Sequence, residues 1–310
     1  MPGTVAPRRR KISWKEGKKK CTALEVFENK IIVGWDNGQI GIYNVSDLSC
    51  AIVLNYCKSE ARVTHLQSTG TEIIAAYGDG NICVWNMGKG FLVHTLSVAD
   101  KIGDSVDFAT CIRWRDPKLV GGTDKGKIHI WQYVNSSFTL LGHWESKNGE
   151  IVDLEFNGSY VIILPCSNLR PVSVRYFNGQ HVRSLSSLAE IICMTLQENH
   201  LITVDEDGML RIWDVRTGNC VRELQGDQYS VYDIVDSWDG VVVTRDDKGK
   251  VIIWCNQAIL EGRQAALASF TDANFDAFAE GQLTLGTNFV VGTSRDGESR
   301  EIIMVTDFPS

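Results

Sequence analysis

Residues 203–218 read TVDEDGMLRIWDVRTG, and this stretch decides the fold. Asp205, Asp207 and Gly208 have the composition of a calcium-binding loop. The residues after them, Leu210 and Ile212, alternate with other side chains as in a β-strand. The stretch is therefore either an ion site or the turn of a β-hairpin, and the rest of the chain distinguishes the two because the same frame recurs.

The recurring frame is a glycine five positions before an aromatic residue that ends an apolar, mostly β-branched run. Apolar residues stand three and one positions before the aromatic residue, which is the period-two pattern of a strand with one buried face. The frame occurs as Gly38 with Tyr43, Gly80 with Trp85, Gly126 with Trp131, Gly208 with Trp213, and Gly249 with Trp254. We expect these residues, together with Asp214, to have structural roles.

A second apolar run precedes each of these glycines, and residues rich in Asp, Asn and Gly separate the two runs. Gly and Asn accept the positive φ of a tight turn, so each pair of runs predicts a β-hairpin. A calcium loop would need flanking helices and a Glu at its twelfth position, where Asp214 ends a strand. We therefore predict a turn at Asp205, and no metal or cofactor site.

Each unit continues with an outer strand after the aromatic residue, and a further strand then opens the next unit. Five clear units of four strands follow one another at intervals of about 40 residues, a period typical of propeller repeats. The sequence therefore predicts an all-β fold, a β-propeller built from four-stranded antiparallel blades.

The segment Leu210-Arg211-Ile212-Trp213-Asp214 resembles the strand ending of the WD-repeat family, and the resemblance extends from about Cys21 to the C-terminus. It implies a seven-bladed β-propeller, and seven units can be placed. The fourth is degraded, because Arg170 and Arg175 stand where the glycine and the aromatic residue should be. The seventh has NFVVGTS, a turn at Asp296-Gly297, and REIIMV.

The chain is a divergent member by this resemblance, since only one unit ends its aromatic strand with the literal Trp-Asp pair, Trp213-Asp214, and only Gly142-His143 reproduces the family's Gly-His pair. We expect the internal hydrogen-bond network that is common in the family to be mostly absent. The seventh unit ends too soon to supply its own outer strand, whereas residues around Ile12 to Trp14 form an unassigned strand-like run. We expect that run to close the ring, with residues 1–20 as a basic arm and residues 21–310 as the propeller domain.

Composition and charge limit the function classes. The chain of 310 residues is 44% hydrophobic and carries a net charge of −7, although residues 1–20 hold eight Lys or Arg and one Glu. An acidic body makes nucleic acid an unlikely partner for the whole molecule, and the run Arg8–Lys11 is either a solvated tail, an import signal or an anion-binding arm. No apolar run is long enough for a bilayer, and the nine cysteines include no C-x-x-C pair. We expect a soluble protein of the cytoplasm or the nucleus.

No catalytic arrangement emerges from the six histidines, so we predict no enzymatic activity. A propeller without chemistry presents loops on a rigid scaffold, which favours binding of other proteins or peptides. The long loops at residues 97–108, 144–150 and 225–230 are the expected binding face. The candidate partner-binding residues are Trp144, Arg170, Arg175, Arg216 and Tyr229.

Two functions remain open. The short turns resemble those of F-box/WD proteins, and Trp213-Asp214-Val215-Arg216 matches the W-D-x-R ending of propellers that bind a cullin adaptor. Both likenesses favour a substrate-recruiting subunit of a cullin-type ubiquitin ligase. The alternative is a structural scaffold or assembly factor of a complex unrelated to ubiquitin. An enzyme would need a cluster of polar residues in the central channel, which the sequence does not reveal.

Overall fold

The computed structural model describes residues 8–12, 19–56, 61–99, 101–102, 105–147, 149–166, 171–225, 232–238, 241–246, 250–255, 266–271, 283–285, 289–295 and 301–307. All regular structure in these ranges is β-strand, which confirms the all-β class. No helix long and apolar enough to cross a bilayer occurs within them.

The strands follow one another closely along the chain. They are β1 (Arg8–Ile12), β2 (Cys21–Phe27), β3 (Lys30–Trp35), β4 (Gln39–Asn44), β5 (Cys50–Asn55), β6 (Val63–Ser68), β7 (Glu72–Tyr77), β8 (Asn81–Asn86), β9 (Leu92–Ser97), β10 (Lys101–Ile102), β11 (Ser105–Val106), β12 (Ala109–Arg115), β13 (Lys118–Thr123), β14 (Lys127–Val134), β15 (Ser137–Glu145), β16 (Ile151–Phe156), β17 (Tyr160–Pro165), β18 (Val172–Tyr176), β19 (His181–Leu185), β20 (Ile191–Gln197), β21 (His200–Asp205), β22 (Met209–Asp214), β23 (Cys220–Gln225), β24 (Tyr232–Trp238), β25 (Val241–Asp246), β26 (Lys250–Cys255), β27 (Ala266–Thr271), β28 (Leu283–Leu285), β29 (Phe289–Arg295) and β30 (Glu301–Asp307).

The strands of the described ranges form seven four-stranded antiparallel sheets, which confirms the predicted four-stranded unit. Six sheets consist of consecutive strands: β2–β5, β6–β9, β12–β15, β16–β19, β20–β23 and β24–β27. The remaining sheet has the order β1-β30-β29-β28, and the short hairpin β10–β11 lies between two sheets in sequence. The first strand of each consecutive sheet contacts that of the next, from β2 through β6, β12, β16, β20 and β24 to β28, and β28 in turn contacts β2.

The degraded fourth unit keeps all four strands, because β18 pairs with both β17 and β19 although Arg175 replaces the aromatic residue. The strand that joins the two ends of the chain lies earlier than expected. Arg8 to Ile12 pair with Asp307 to Ile303 of β30, whereas the sequence pattern pointed to residues 12–14. Ser13 and Trp14 lie outside the described residues. The basic run Arg8–Lys11 is therefore part of a strand rather than a solvated tail, and Arg10 donates a hydrogen bond to the carbonyl of Val45.

The core lies between neighbouring sheets. The second strand of each of the first five sheets is buried along nearly its whole length, because another sheet packs against each of its faces. Fully buried side chains such as Ile32, Ile74, Ile162 and Ile202 come from the middle of these strands. Each contributes roughly 1.5–3 kcal/mol of transfer free energy, so apolar packing between sheets dominates the stability.

The recurring glycines lie in the hairpin turns, as predicted. Gly38, Gly80, Gly126 and Gly208 have φ between 73° and 83°. A Cβ atom on Gly126 would lie 2.4 Å from the carbonyl oxygen of Gly149, so both the backbone conformation and the space require glycine there. Gly249 lies outside the described residues.

Asp205 is a turn residue bonded by protein donors. One carboxylate oxygen accepts the backbone N–H of Met209 at 2.9 Å, and the other accepts Ser187 Oγ at 3.0 Å and the guanidinium of Arg211. These bonds join β21 to β22 and to the loop before β20. They confirm that residues 203–218 form a hairpin.

Trp85, Trp131 and Trp213 are buried, while Tyr43 and Trp254 are partly buried. The indole N–H of Trp213 donates to Thr203 Oγ1 at 2.9 Å, and Trp254 donates to Thr244 at the same distance. The expectation that internal hydrogen bonds are mostly absent is therefore wrong for these two sheets. A threonine in the neighbouring strand supplies the acceptor in each.

Candidate functional site

A cavity of about 350 Å³ opens between the sheets β12–β15 and β16–β19. We call it the Trp144 groove, and it is lined by Lys118, Ile130, Leu141, Gly142, His143, Trp144, Phe177 and Asn178. Half of these residues come from the outer strand β15, and Phe177 and Asn178 come from the turn between β18 and β19. A bulge in β15 leaves Leu141 without a partner in β14, since Ile130 pairs with Gly142 and Trp131 with Leu140.

Trp144 forms the wall between the two sheets. Its indole N–H donates to the carbonyl oxygen of Phe177 at 3.1 Å, and its ring lies directly over Gly179. A Cβ atom on Gly179 would lie 2.8 Å from Cγ of Trp144, and the φ of Gly179 is +84°. The glycine therefore lets the ring pack against the turn backbone. Trp144 is half-buried, with one face toward the next sheet.

Arg175 lies beside Trp144, so the structure brings two of the predicted partner-binding residues together. The guanidinium lies 5.5 Å from the centroid of the Trp144 ring. Its Nε donates to Ser173 Oγ at 3.1 Å, and Nη1 donates to the carbonyl oxygen of Gly179 at 2.9 Å. Partial burial lowers the pKa of Arg175 from its ordinary value. The side chain thus takes the place of the missing aromatic residue as a packing element.

A second cation lies over an aromatic ring at the same groove. Lys118 Nζ is 4.4 Å from the centroid of the Phe177 ring. Phe177 is held in turn by an edge-to-face contact with Phe156, with ring centroids 5.9 Å apart. Among the residues that the structure describes, no Asp or Glu lines the groove, although the chain as a whole is acidic. The groove therefore combines apolar walls with positive charge.

His143 is exposed on β15, so the Gly142-His143 pair is part of an outer strand. Its ring stacks with that of His129, with centroids 5.6 Å apart. His129 is buried and stacks in turn with Trp131 at 5.6 Å. The pair thus contributes to the side of the groove.

Arg216 lies elsewhere, in the turn after β22. It forms two hydrogen bonds with the Asp214 carboxylate, including a 2.9 Å bond from Nη2 to Oδ2. This hydrogen bonding is the main reason why the pKa of Asp214 falls to about 2. Within the W-D-x-R ending, Arg216 and Asp214 therefore form an ion pair with each other on an exposed turn.

Arg170 and Tyr229 lie outside the described residues, as does nearly all of the loop at residues 225–230. The loop at residues 97–108 contains the hairpin β10–β11. In the loop after Trp144, Ser146 is buried and its N–H donates to the carbonyl oxygen of Gly126 at 2.7 Å.

A cluster of charged residues on the inner strands was missed from the sequence. Arg113 of β12 donates to Asp153 at 2.8 Å and to Glu155 at 3.0 Å, both on β16. Arg113 Nη1 lies 2.8 Å from Nε2 of His65 on β6. Burial, followed by the charge of Arg113, lowers the pKa of His65 to about 3. The polar cluster that an enzyme would need therefore exists here, but its groups bond to one another.

One feature of the sequence could have revealed this cluster, namely a polar residue at the same position of several first strands. In five of the sheets, the first strand carries a polar residue directly after a buried apolar one, opposite the middle of the second strand. These residues are Glu25, Gln67, Arg113, Glu155 and Thr195. Arg113 and Glu155 stand at equivalent positions of consecutive repeats, which predicts an ion pair between these two neighbouring inner strands.

Comparisons with known proteins agree with the repeats. No protein-family model matches the chain. "Nuclear distribution protein nudF" of Aspergillus niger is 28% identical over 161 residues, which cover 48% of this chain and 35% of that protein. "SIR4-interacting protein SIF2" of Saccharomyces cerevisiae is 23% identical over 213 residues, which cover 63% of this chain and 38% of that protein.

A third relative, "WD repeat-containing protein 55 homolog" of Drosophila erecta, is 29% identical over 104 residues, or 32% of this chain and 21% of that protein. The chain therefore matches well under half the length of these curated relatives. Among solved structures, the computationally designed Ika8 protein aligns with a TM-score of 0.67 and 23% identity. The alignment covers 92% of this chain and 84% of that one, and at this identity the likeness concerns the fold alone.

The repeated four-stranded sheets, the propeller-like neighbour and these relatives define the class of protein. The chain is similar to WD-repeat proteins, and its fold is that of a propeller-like all-β protein.

Proposed function

We propose that the chain is a non-catalytic protein-interaction scaffold, built as a seven-bladed propeller whose ring is closed by the N-terminal strand. Seven sheets in the described ranges, with β1 as the outer strand beside β30, support this arrangement. Residues 1–20 are the arm that carries the closing strand, and residues 21–310 are the propeller domain.

The observation that carries the proposal is the Trp144 groove, an aromatic-lined cavity on the surface of a WD-repeat fold. Aromatic residues and Arg dominate binding hot spots, and rigid scaffolds present such residues at low entropic cost. The name of the SIR4-interacting protein SIF2 describes a protein that interacts with another protein. Both points favour recognition of protein partners.

The inner cluster supports a non-catalytic role. A general base works best with a pKa near the operating pH, and the pKa of His65 is about 3. Arg113, Asp153 and Glu155 are held in mutual ion pairs, which favours a structural task in joining inner strands.

A scaffold or assembly factor is preferred over a cullin-ligase subunit. The names of the relatives above do not refer to ubiquitin ligases, and Arg216 is bonded to Asp214 within its own turn. For the location we propose the cytoplasm or the nucleus, because one relative's name refers to nuclear distribution.

The experiment is affinity purification of the tagged full chain from its native cells, with mass spectrometry of the bound proteins. We expect one stoichiometric set of partners that the Arg216→Ala variant retains. The matched control is Lys89→Ala, at an exposed turn residue. Recovery of a cullin or its adaptor that Arg216→Ala abolishes would establish the ligase function instead. If no protein is enriched over an empty-tag control, the scaffold proposal is wrong.

A further inference from the structure

The Trp144 groove has the volume and the lining to hold a large apolar side chain. Its volume of about 350 Å³ falls at the lower end of ligand pockets, which begin at about 300 Å³. Ile130, Leu141, Trp144 and Phe177 supply apolar walls. Beside the opening, Leu140 and Leu141 are 48% and 54% exposed. Two adjacent exposed leucines on one strand leave apolar area that a bound partner would cover.

The strand beside the groove can accept another strand. Among the described strands β15 pairs only with β14, so its other edge carries no β-partner there. It has nine residues, which makes it the longest strand of the described ranges. An edge of this kind binds extended peptides through backbone hydrogen bonds, while side-chain pockets select the sequence.

The positive charge at the Trp144 groove favours an acidic peptide as its ligand. Lys118 Nζ lies over the Phe177 ring, and Arg175 lies against Trp144 behind the same wall. In the described part of the chain no carboxylate lines the groove, although the sequence holds 38 Asp and Glu against 31 Lys and Arg. A carboxylate of a ligand can therefore pair with Lys118 without competition from the lining, whereas a basic peptide would meet like charge.

We propose that the Trp144 groove binds an extended acidic peptide segment of a partner protein. The segment adds to the edge of β15, places a Leu or Phe side chain among Ile130, Leu141, Trp144 and Phe177, and sets a flanking Asp or Glu against Lys118. This inference rests on the proposed scaffold function and names the partner chemistry of one site.

The test measures fluorescence polarisation of a labelled, end-capped peptide of sequence Ser-Asp-Glu-Leu-Asp-Glu-Ser with the full chain. We expect saturable binding at peptide-scale affinity, with a Kd below about 100 μM. A matched peptide with Lys in place of every Asp and Glu should bind at least about tenfold more weakly. Rising salt should weaken the acidic peptide, because the pair with Lys118 is partly exposed to solvent.

Substitutions at the Trp144 groove, each with a matched control elsewhere, test whether the peptide binds there. Lys118→Glu should weaken the acidic peptide about tenfold or more and improve binding of the basic peptide, whereas Lys89→Glu should change neither. Leu141→Ser should weaken binding, and Leu188→Ser serves as its control because Leu188 is 96% exposed and distant in sequence. All four variants change surface positions, and their melting curves should match the parent. Charge reversal at Lys118 cannot swap the peptide preference through a folding defect.

The proposal is overturned if the acidic peptide shows no binding at about 1 mM protein, or if Lys118→Glu and Leu141→Ser bind it like the parent. Partner purification separates this failure from that of the scaffold function. If the purified complexes survive both substitutions, the groove assignment is wrong while the scaffold stands. If no complex is purified at all, the scaffold function itself fails.

Discussion

At the scale of single residues, protonation of the His65 imidazole makes the free energy of unfolding depend on pH. Its ring is partly buried at the inner strands, and Arg113 of β12 contacts it at Nε2, with Asp153 and Glu155 of β16 on the far side of the guanidinium. Burial is the main cause of a folded-state pKa of about 3, while an unfolded histidine titrates near 6.5.

The sign of the effect follows from this depressed pKa. Between about pH 6.5 and pH 3 the unfolded chain binds a proton at His65 and the folded chain does not, so stability is full above the window and falls through it. The slope from this group approaches 1.4 kcal/mol per pH unit as an upper limit. His65→Gln keeps an acceptor for Arg113 and should flatten this part of the pH dependence.

Urea unfolding at several pH values from about 7 to about 4 measures that slope. His181→Gln, at an exposed histidine, is the control and should retain the slope of the parent. Identical slopes for the parent and His65→Gln would show that His65 does not govern acid stability.

The bond between Trp213 and Thr203 gives a second residue-scale prediction. Both groups are buried and the indole N–H lies 2.9 Å from Thr203 Oγ1. Thr203→Val keeps the shape but leaves a buried donor unpaired, so we expect a loss of about 1–3 kcal/mol in the free energy of unfolding. Thr139→Val, on the exposed face of β15, should cost little.

A double-mutant cycle with Trp213→Phe isolates the hydrogen bond from packing. If the two substitutions are additive, the bond contributes nothing beyond shape.

At the scale of elements, the turn between β18 and β19 positions the wall of the groove. Gly179→Ala combines a φ of +84° with a methyl group 2.8 Å from Trp144, so the ring must shift or the turn must open. We expect a loss of about 1–3 kcal/mol and weaker binding of the acidic peptide. Thermal unfolding measures the first effect and polarisation the second.

The matched control is Gly158→Ala, because no atom of the described residues lies within 4 Å of its Cβ position and its φ is not in the left-handed region. If Gly179→Ala is as mild as Gly158→Ala, the contact between the turn and Trp144 does not fix the groove.

Local signals explain which elements could be predicted from the sequence. Alternation and turn glycines depend on neighbours in the chain, so the hairpins at Gly38, Gly80, Gly126 and Gly208 follow directly. The stacking of Arg175 on Trp144 joins residues of two different sheets, and no local pattern encodes such a pairing. Trp144 and Arg175 could be chosen as unusual residues, but their proximity needed the arrangement of sheets.

At the scale of the whole molecule, the same distinction applies to the ends of the chain. The repeat count predicted that the last unit lacks an outer strand, because counting is a property of the sequence alone. The strand that pairs with β30 lies earlier in the sequence than predicted. Its residues Arg8–Lys11 have the composition of a solvated basic run, so the sequence pattern did not indicate a strand there. Basic side chains are compatible with an outer strand because one of its faces is open to water.

Removal of β1 tests whether the two ends hold the molecule together. Deleting residues 1–12 exposes the backbone donors and acceptors of β30 and removes Ile12, which packs with Cys21, Trp35 and Val305. We expect the melting temperature to fall by at least about 5 °C and the protein to aggregate through the new edge. Deleting residues 1–7 is the matched control and should leave melting unchanged, while Ile12→Asp should act like the longer deletion without removing the basic residues. Differential scanning fluorimetry with light scattering measures both effects. If the longer deletion behaves like the full-length chain, β1 pairs with β30 without stabilising the molecule.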